Sequence, residues 1–292
     1  MNASLTSQIE QALSDHLSKP VEITAASSVS GGSINDAYKI SAAGSDYFVK
    51  LNSAEKFPGM FEAECRGLEL LANNSEIRIP AVIMNGLAAE QAFLVLEYLQ
   101  PGVNTDRSFE TFGRLLAAMH RHSNEHFGLG HDNYIGSLKQ TNSFHASWPE
   151  FFIQERLLKQ LQPAYDQRKI SRSVLASFER LFAKMDNLFP PEKPALLHGD
   201  LWSGNFMTGA DGNPCMYDPA VYYGHREIDI AMTRLFGGFP AAFYRSYNEA
   251  FPMEKGWEQR MELCNLYPLL VHVNLFGGGY AKEVEMIVKR FV

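Results

Sequence analysis

Apolar residues fall four apart at the start of the chain, at Leu5, Ile9, Leu13 and Leu17, and predict an amphipathic helix over Met1–Leu17. The pattern then shortens. Val21–Ser28, Ala37–Ser41 and Tyr47–Leu51 are partly alternating or β-branched, are divided by Gly and Ser, and predict three strands. Pro58 opens a second helical pattern with Phe61, Cys65, Leu68 and Ala72 on one face and Asn73-Asn74 at its end. Pro80–Met84 and Ala92–Leu96 predict two more strands, the second uniformly apolar and therefore buried on both faces. Gln100-Pro101-Gly102 is the best linker signal in the chain. Beyond it the period becomes helical, with Phe112, Leu115, Leu116 and Met119 on one face and further helices over Trp148–Leu161 and Val174–Leu188. Ala195–Leu197 and Met216-Tyr217 are short apolar runs, and helical patterns broken at Gly237-Gly238 and Gly277–Gly279 follow to the end. A β-rich lobe over 1–99 with one key helix, a hinge at 100–102 and a larger helical lobe over 103–292 make an α+β arrangement that binds a ligand in the intervening cleft.

Composition narrows the class. The chain has 292 residues, 46% apolar and 20% charged, with a formal charge of −7. That profile excludes a disordered or collagen-like chain. The acidic balance argues against duplex nucleic acid as partner and is permissive for a cationic substrate. Cys65, Cys215 and Cys264 are widely spaced with no CxxC pair, the usage of reduced thiols. The N-terminus lacks a signal-type apolar core, and the longest apolar candidate, Tyr267–Phe276, is broken by His272 and Asn274. A cytoplasmic protein with no membrane partner is expected, a monomer or weak dimer.

The strongest chemical signal is His198-Gly199-Asp200-Leu201-Trp202-Ser203-Gly204-Asn205, followed by Asp218. An Asp and an Asn five apart in a loop can face one substrate, the Asp taking a hydroxyl proton and the Asn oxygen holding a metal. A second carboxylate after a short apolar strand adds the charge that Mg²⁺ prefers, alongside phosphate oxygens. The alternative is an Asx-rich turn. Upstream, Gly31, Gly32, Ser33, Ile34 and Asn35 lie between two strands, where backbone N–H groups can cover phosphates. The segment matches neither G-x-G-x-x-G nor the Walker pattern, and an ordinary hairpin turn is its alternative. Lys50 closes an apolar strand and needs an anion there, unless it is solvated at the strand end. Glu64 falls within the apolar face of the 58–72 helix and is the natural partner of Lys50, with Glu62 and Glu69 as alternatives. The buried strand runs out through Glu97, Tyr98 and Leu99, whose main-chain groups can pair with the edge of an adenine. His120, with no HExxH or Cys/His ligand spacing around it, reads as a helix-end residue that bonds backbone or favours the helix C-terminus, and not as a zinc ligand. Ser203 lacks the G-x-S-x-G turn of a hydrolase.

These residues together resemble the fructosamine/ketosamine kinase family, in the aminoglycoside- and choline-kinase-like branch of the protein-kinase-like fold. The likeness covers nearly the whole chain. It is carried by HGDLWSGN at 198–205 and YDPAVYYGHR at 217–226. It continues in LFGGF at 235–239, FYRSY at 243–247, NYIG at 133–136, WPEFF at 148–152 and FGGGY at 276–280. The resemblance implies a bilobal fold with a small antiparallel N-lobe, and an ATP- and Mg²⁺-dependent kinase acting on the 3-hydroxyl of a ketosamine, small or protein-bound. It implies Asp200 as catalytic base, Asn205 and Asp218 as Mg²⁺ ligands, Lys50 with Glu64 as the phosphate-positioning pair, and Gly31–Asn35 as the loop over the phosphates. Trp202 can stack on the substrate or pack in the core; Tyr223 and His225 border the same loop as further substrate candidates, and Asp229 caps or anchors a helix. Two departures stand out. Asp218 is followed by Pro219-Ala220 with no Ala-Pro-Glu beyond, so no phosphorylatable activation loop is expected. Ser33 stands where some members carry a redox-sensitive Cys. The competing expectations are a kinase of another small alcohol, such as an aminoglycoside or choline, and a nucleotide-binding protein without catalysis.

Overall fold

The computed structural model describes residues 1–29 and 34–292. Strands β1 (Ile23–Ser28), β2 (Asp36–Ala42), β3 (Ser45–Ser53), β4 (Val82–Ala88) and β5 (Gln91–Glu97) form one antiparallel sheet in the order β1-β2-β3-β5-β4. Alternation along β5 explains why both faces are covered. Phe93 and Val95 join Ile40, Val49 and Leu51 under helix α1 (Ala3–Leu17), which contributes Leu5, Ile9 and Leu13. Ala92, Leu94 and Leu96 point the other way, against Met60, Phe61, Cys65 and Leu68 of helix α2 (Met60–Asn74). Each large apolar side chain buried this way contributes about 1.5–3 kcal/mol. The α2 face differs from expectation at one position: Ala72 is exposed and Leu71 is buried in its place, three residues after Leu68.

The rest of the chain is mainly helical. Helices α3 (Asp106–Met119), α7 (Glu227–Leu235), α8 (Ala241–Ala250), α9 (Trp257–Phe276) and α10 (Tyr280–Arg290) contribute to one large core with α4 (Trp148–Phe151), α5 (Leu158–Asp166) and α6 (Arg172–Phe182). The helix expected over 148–161 is split by a π-helical segment, Phe152–Leu157. Three short antiparallel pairs complete the fold: β6 (Asn133–Ile135) with β7 (Leu138–Gln140), β8 (Ala195–Leu197) with β11 (Tyr222–Gly224), and β9 (Phe206–Thr208) with β10 (Pro214–Met216). The architecture is the bilobal α+β fold of the kinase-like class.

The β9–β10 hairpin grips the chain where it passes between sheet and helices. Gly102 N–H donates to Thr208 O at 2.7 Å and Ala210 N–H to Gln100 O at 2.9 Å. Arg78 N–H donates to Pro214 O at 3.1 Å, and Met216 N–H returns to Arg78 O at 3.0 Å. A Cβ on Gly102 would stand 2.2 Å from Gly209 O, so the linker needs glycine there for close approach. Among the described residues no helix is long and apolar enough to cross a membrane.

Candidate active site

The face of β3 that carries Phe48 also carries Lys50, and this face looks at α2. Lys50 is therefore mid-strand and 5% exposed, not a solvated strand end. Its Nζ lies 2.7 Å from Glu64 Oε1 and 2.6 Å from Asp218 Oδ1. Glu62 and Glu69 are exposed, which leaves Glu64 as the inward carboxylate of α2. Burial disfavours the Lys50 ammonium, but Asp218 and Glu64 together outweigh it and hold its pKa well above the ordinary value. Burial, and then the Asp218 charge, push the Glu64 carboxyl up against the pull of Lys50. One cation between two carboxylates leaves net negative charge at the rear of the cleft, which favours a further cation.

The loop after β8 supplies the other groups. Asp229 in α7, fully buried, accepts the main-chain N–H of His198 at 2.7 Å and of Gly199 at 2.9 Å. It bonds the loop and does not cap its own helix. His198 Nε2–H donates to Tyr217 O at 3.0 Å, which leaves Nδ1 to accept from Asp200 N–H at 3.3 Å. Gly199 has φ +81°, and a Cβ there would stand 2.1 Å from Ala220 O, so no side chain has room at this position. Asp200 follows with its Oδ2 accepting from Asn205 Nδ2 at 3.0 Å. Burial first and the Asp218 charge second push the Asp200 carboxyl up to about 7, against the Asn205 hydrogen bond. Asn205 Nδ2 also reaches Asp218 O at 3.4 Å, so Asp200, Asn205 and Asp218 converge. Asp218 itself sits at φ +55°, a left-handed conformation that is uncommon outside glycine.

Lys50, Asn205 and Asp218 line a cleft of about 320 Å³; Asp200 does not line it and adjoins it through its hydrogen bond to Asn205. Val29, Ala37, Leu96 and Met207 make its apolar walls, and Lys50, Asn205 and Asp218 its polar end. The shape fits a flat apolar ring with an anionic tail. Glu97, Tyr98 and Leu99 line the rim, with one correction to the expected edge. Glu97 N–H is already donated to Ala81 O at 2.9 Å, and its side chain pairs with Arg78, so it offers no free donor to a base. Among the described residues the main-chain groups of Tyr98 and Leu99 make no hydrogen bond and stay available. Ile34 and Asn35 line the cleft; Gly31, Gly32 and Ser33 lie outside the described residues.

The three substrate candidates fare differently. The Trp202 ring is half-buried, lies over Gly204 and meets Phe236 edge-on at 6.0 Å beside the loop. Tyr223 lies in β11, its main chain bonded to Gly128, and does not line the cleft. His225 is fully buried, with Nε2 3.3 Å from Pro190 O and its ring against Trp148 and Phe189. Aromatic packing and the neighbouring Arg226–Glu192 pair draw His225 into the core, away from any acceptor. Asn205 and Asp218 can hold a hard divalent cation. No donor among the described residues reaches Asn205 Oδ1, and the Asp218 side chain is 41% exposed with only Oδ1 engaged by Lys50. Two such oxygens suit a cation that keeps phosphate and water ligands.

Sequence reasoning missed two supports of this loop. His120, expected to bond backbone or to favour the helix C-terminus, places Nε2 3.2 Å from Asp229 Oδ2 and Nδ1 2.8 Å from the Tyr247 hydroxyl. Arg260 pairs with buried Glu227 at 2.5 Å at the start of α7, helping to seat Asp229. The signal for Asp229 was its place between Ile228 and Ile230 in the helical run.

The family model described as fructosamine kinase matches residues 5–292. The chain is 42% identical over 288 residues to a protein named probable ketoamine kinase from Synechocystis sp., covering 97% of this chain and 95% of that one. It is 38% identical to the chloroplastic protein-ribulosamine 3-kinase of Oryza sativa subsp. indica, over 94% of this chain and 80% of the rice protein. The crystal structure of a candidate fructosamine-3-kinase from Haemophilus somnus superposes with a TM-score of 0.89 at 30% identity, over 99% of this chain and 98% of that chain.

Proposed function

The chain belongs to the fructosamine kinase family, and from that membership and the cleft we propose an ATP-dependent kinase acting on the 3-hydroxyl of ketosamines, ribulosamine or fructosamine adducts of small amines or of protein lysines. The observation that carries this reading is the convergence of Asp200, Asn205 and Asp218 beside the Lys50–Glu64 pair. The crossing at 100–102 is the hinge between an N-terminal lobe, 1–99, and a C-terminal lobe, 103–292.

Lys50 holds the phosphates of the nucleotide as a fixed point charge, its own position set by Glu64. Tyr98 and Leu99 present free main-chain groups to the adenine edge. Asn205 and Asp218 would hold Mg²⁺, which neutralises charge on the phosphates when bound. Asp200 accepts the proton of the acceptor 3-hydroxyl as its oxygen bonds to the γ-phosphorus and the bond to ADP breaks. A carboxyl with a pKa near 7 suits that transfer. Trp202 flanks the acceptor side. The product carries phosphate on C3, β to the amine-bearing C1; loss of a C1 proton gives a 1,2-enaminol that expels phosphate, and water then hydrolyses the resulting imine to release the amine without further help from the protein.

A panel of ribulosamine, fructosamine, choline and kanamycin, each with ATP and Mg²⁺, tests this by ADP release. Turnover is expected on the ketosamines, with the new phosphate placed at O3 by ³¹P NMR. Turnover on choline or kanamycin with none on either ketosamine would reject the acceptor assignment.

A further inference from the structure

Residues 217–221 occupy the place where an activation loop begins in a protein kinase, and their carbonyls are nearly all engaged. Tyr217 O accepts from His198 Nε2 at 3.0 Å, and Asp218 O from Asn205 Nδ2 at 3.4 Å. Ala220 O accepts from Gln140 Nε2 at 3.0 Å, and Val221 O from Asn133 Nδ2 at 2.8 Å. The first two donors belong to the loop that carries Asp200. The last two belong to the β6–β7 hairpin, which is itself fixed: Gln140 Oε1 accepts from the Tyr267 hydroxyl at 2.7 Å, and Asn133 Oδ1 accepts from Gln140 at 2.8 Å. Gln140 is 2% exposed and Asn133 6%, so these amides have no water to replace a lost partner. The same hairpin reaches the other lobe. The Tyr134 hydroxyl donates to Pro58 O at 2.9 Å, immediately before α2.

Asp218 sits in a left-handed conformation that persists only when its surroundings enforce it. We propose that the β6–β7 hairpin is a positioning element for phosphoryl transfer: Gln140 and Asn133 hold the segment that follows Asp218, Tyr134 holds α2, and Asp218 and Glu64 therefore face Lys50 together without phosphorylation. The hairpin does the work that a phosphorylated loop does elsewhere, and does it with buried amides that are always in place. The reaction it serves rests on the function proposed above; the positioning of Asp218 toward a metal–nucleotide complex does not need the acceptor.

The test measures nucleotide binding by titration calorimetry on the full chain, with ADP in EDTA and with ADP across a Mg²⁺ series. In Gln140→Met the Mg²⁺ concentration at half-saturation is expected to rise by about 10–100-fold, the loss typical of removing an outer partner of a metal ligand, while ADP affinity in EDTA stays at the wild-type value. Tyr134→Phe, which removes one hydroxyl at the surface, is expected to move the same quantity by about 2–5-fold. A folded Gln140→Met with wild-type Mg²⁺ dependence overturns the proposal, and so does an equal loss of affinity with and without metal, which marks a merely structural hairpin. Should Gln140→Met not fold, wild-type Mg²⁺ dependence in Tyr134→Phe overturns it alone. Wild-type protein that turns over no ketosamine refutes the acceptor reading and leaves this readout intact.

Discussion

Asp200→Asn is expected to lower kcat on the ketosamine by about 10²–10⁴-fold, the range for losing a general base, while the affinity for ADP is unchanged. The substitution keeps the size of the side chain and its place beside Asn205, and removes only the ability to take a proton. Stopped assays of ADP release against calorimetric ADP binding separate the two effects. The pH profile gives a second reading. Asp200 is raised to about 7, so its basic form is present above that value and is lost as pH falls through it. A cation bound at Asp218 cancels the second cause of the rise, so the acid limb of kcat/KM for the ketosamine at saturating MgATP should fall between the ordinary carboxylate range and about 7. The residual activity of Asp200→Asn should lack that limb. Unchanged kcat in the variant would remove Asp200 from the role of base.

Lys50→Met is expected to damage both activity and stability. The ammonium is the sole cation bonded to Glu64 and Asp218 among the described residues. Without it Glu64, with its side chain 10% exposed, becomes a buried carboxylate beside another, and breaking such a pair costs about 3–5 kcal/mol. The Asp218 half of the pair is 41% exposed and adds less. Denaturant unfolding should report a lower midpoint, and kcat/KM for MgATP should fall by about 10²–10³-fold as the phosphates lose a fixed charge. Adding Glu64→Gln to Lys50→Met separates the effects. The double variant should recover stability, since the stranded charge is gone, and should recover no activity. Recovery of turnover would show that Lys50 acts only as a structural partner.

How much of this was legible in the sequence follows from the range of the forces involved. Helical phase picked out Glu64, because that signal is local, and the need of an inward carboxylate for a cation named Lys50 as its partner. The spacing of Asp200 and Asn205 is likewise set within one loop. Lys50 was misplaced to a strand end because Leu51–Ser53 continues β3 by pairing with β5, which a single strand does not announce. The β6–β7 hairpin has three-residue strands, too short for a period to be read, and its worth comes from contacts with Ala220 and Val221, 80 and 88 positions away. Asp229 bonds a loop 30 residues upstream, and His120 reaches it from a helix 109 residues before. His225 was drawn toward the site by its place in the motif. Side-chain direction at the end of β11 is decided by Trp148, Phe189 and Glu192, none of them close in sequence. The π-helical segment is invisible for a related reason, since its apolar spacing is also that of an α-helix.

Phosphoryl transfer requires the metal–nucleotide complex to reach Asp200 past Asn205 and Asp218 at the polar end of the cleft. Crystals of the protein grown with a non-hydrolysable ATP analogue and Mn²⁺ test it most directly, because the anomalous signal places the ion without assumption. A peak is expected at about 2.1 Å from Asn205 Oδ1, an Asp218 carboxylate oxygen and the phosphate oxygens, with the adenine in the cleft that Ala37 and Met207 line. An ion bound away from Asn205 and Asp218, or a nucleotide whose phosphates point out of the cleft, would contradict it.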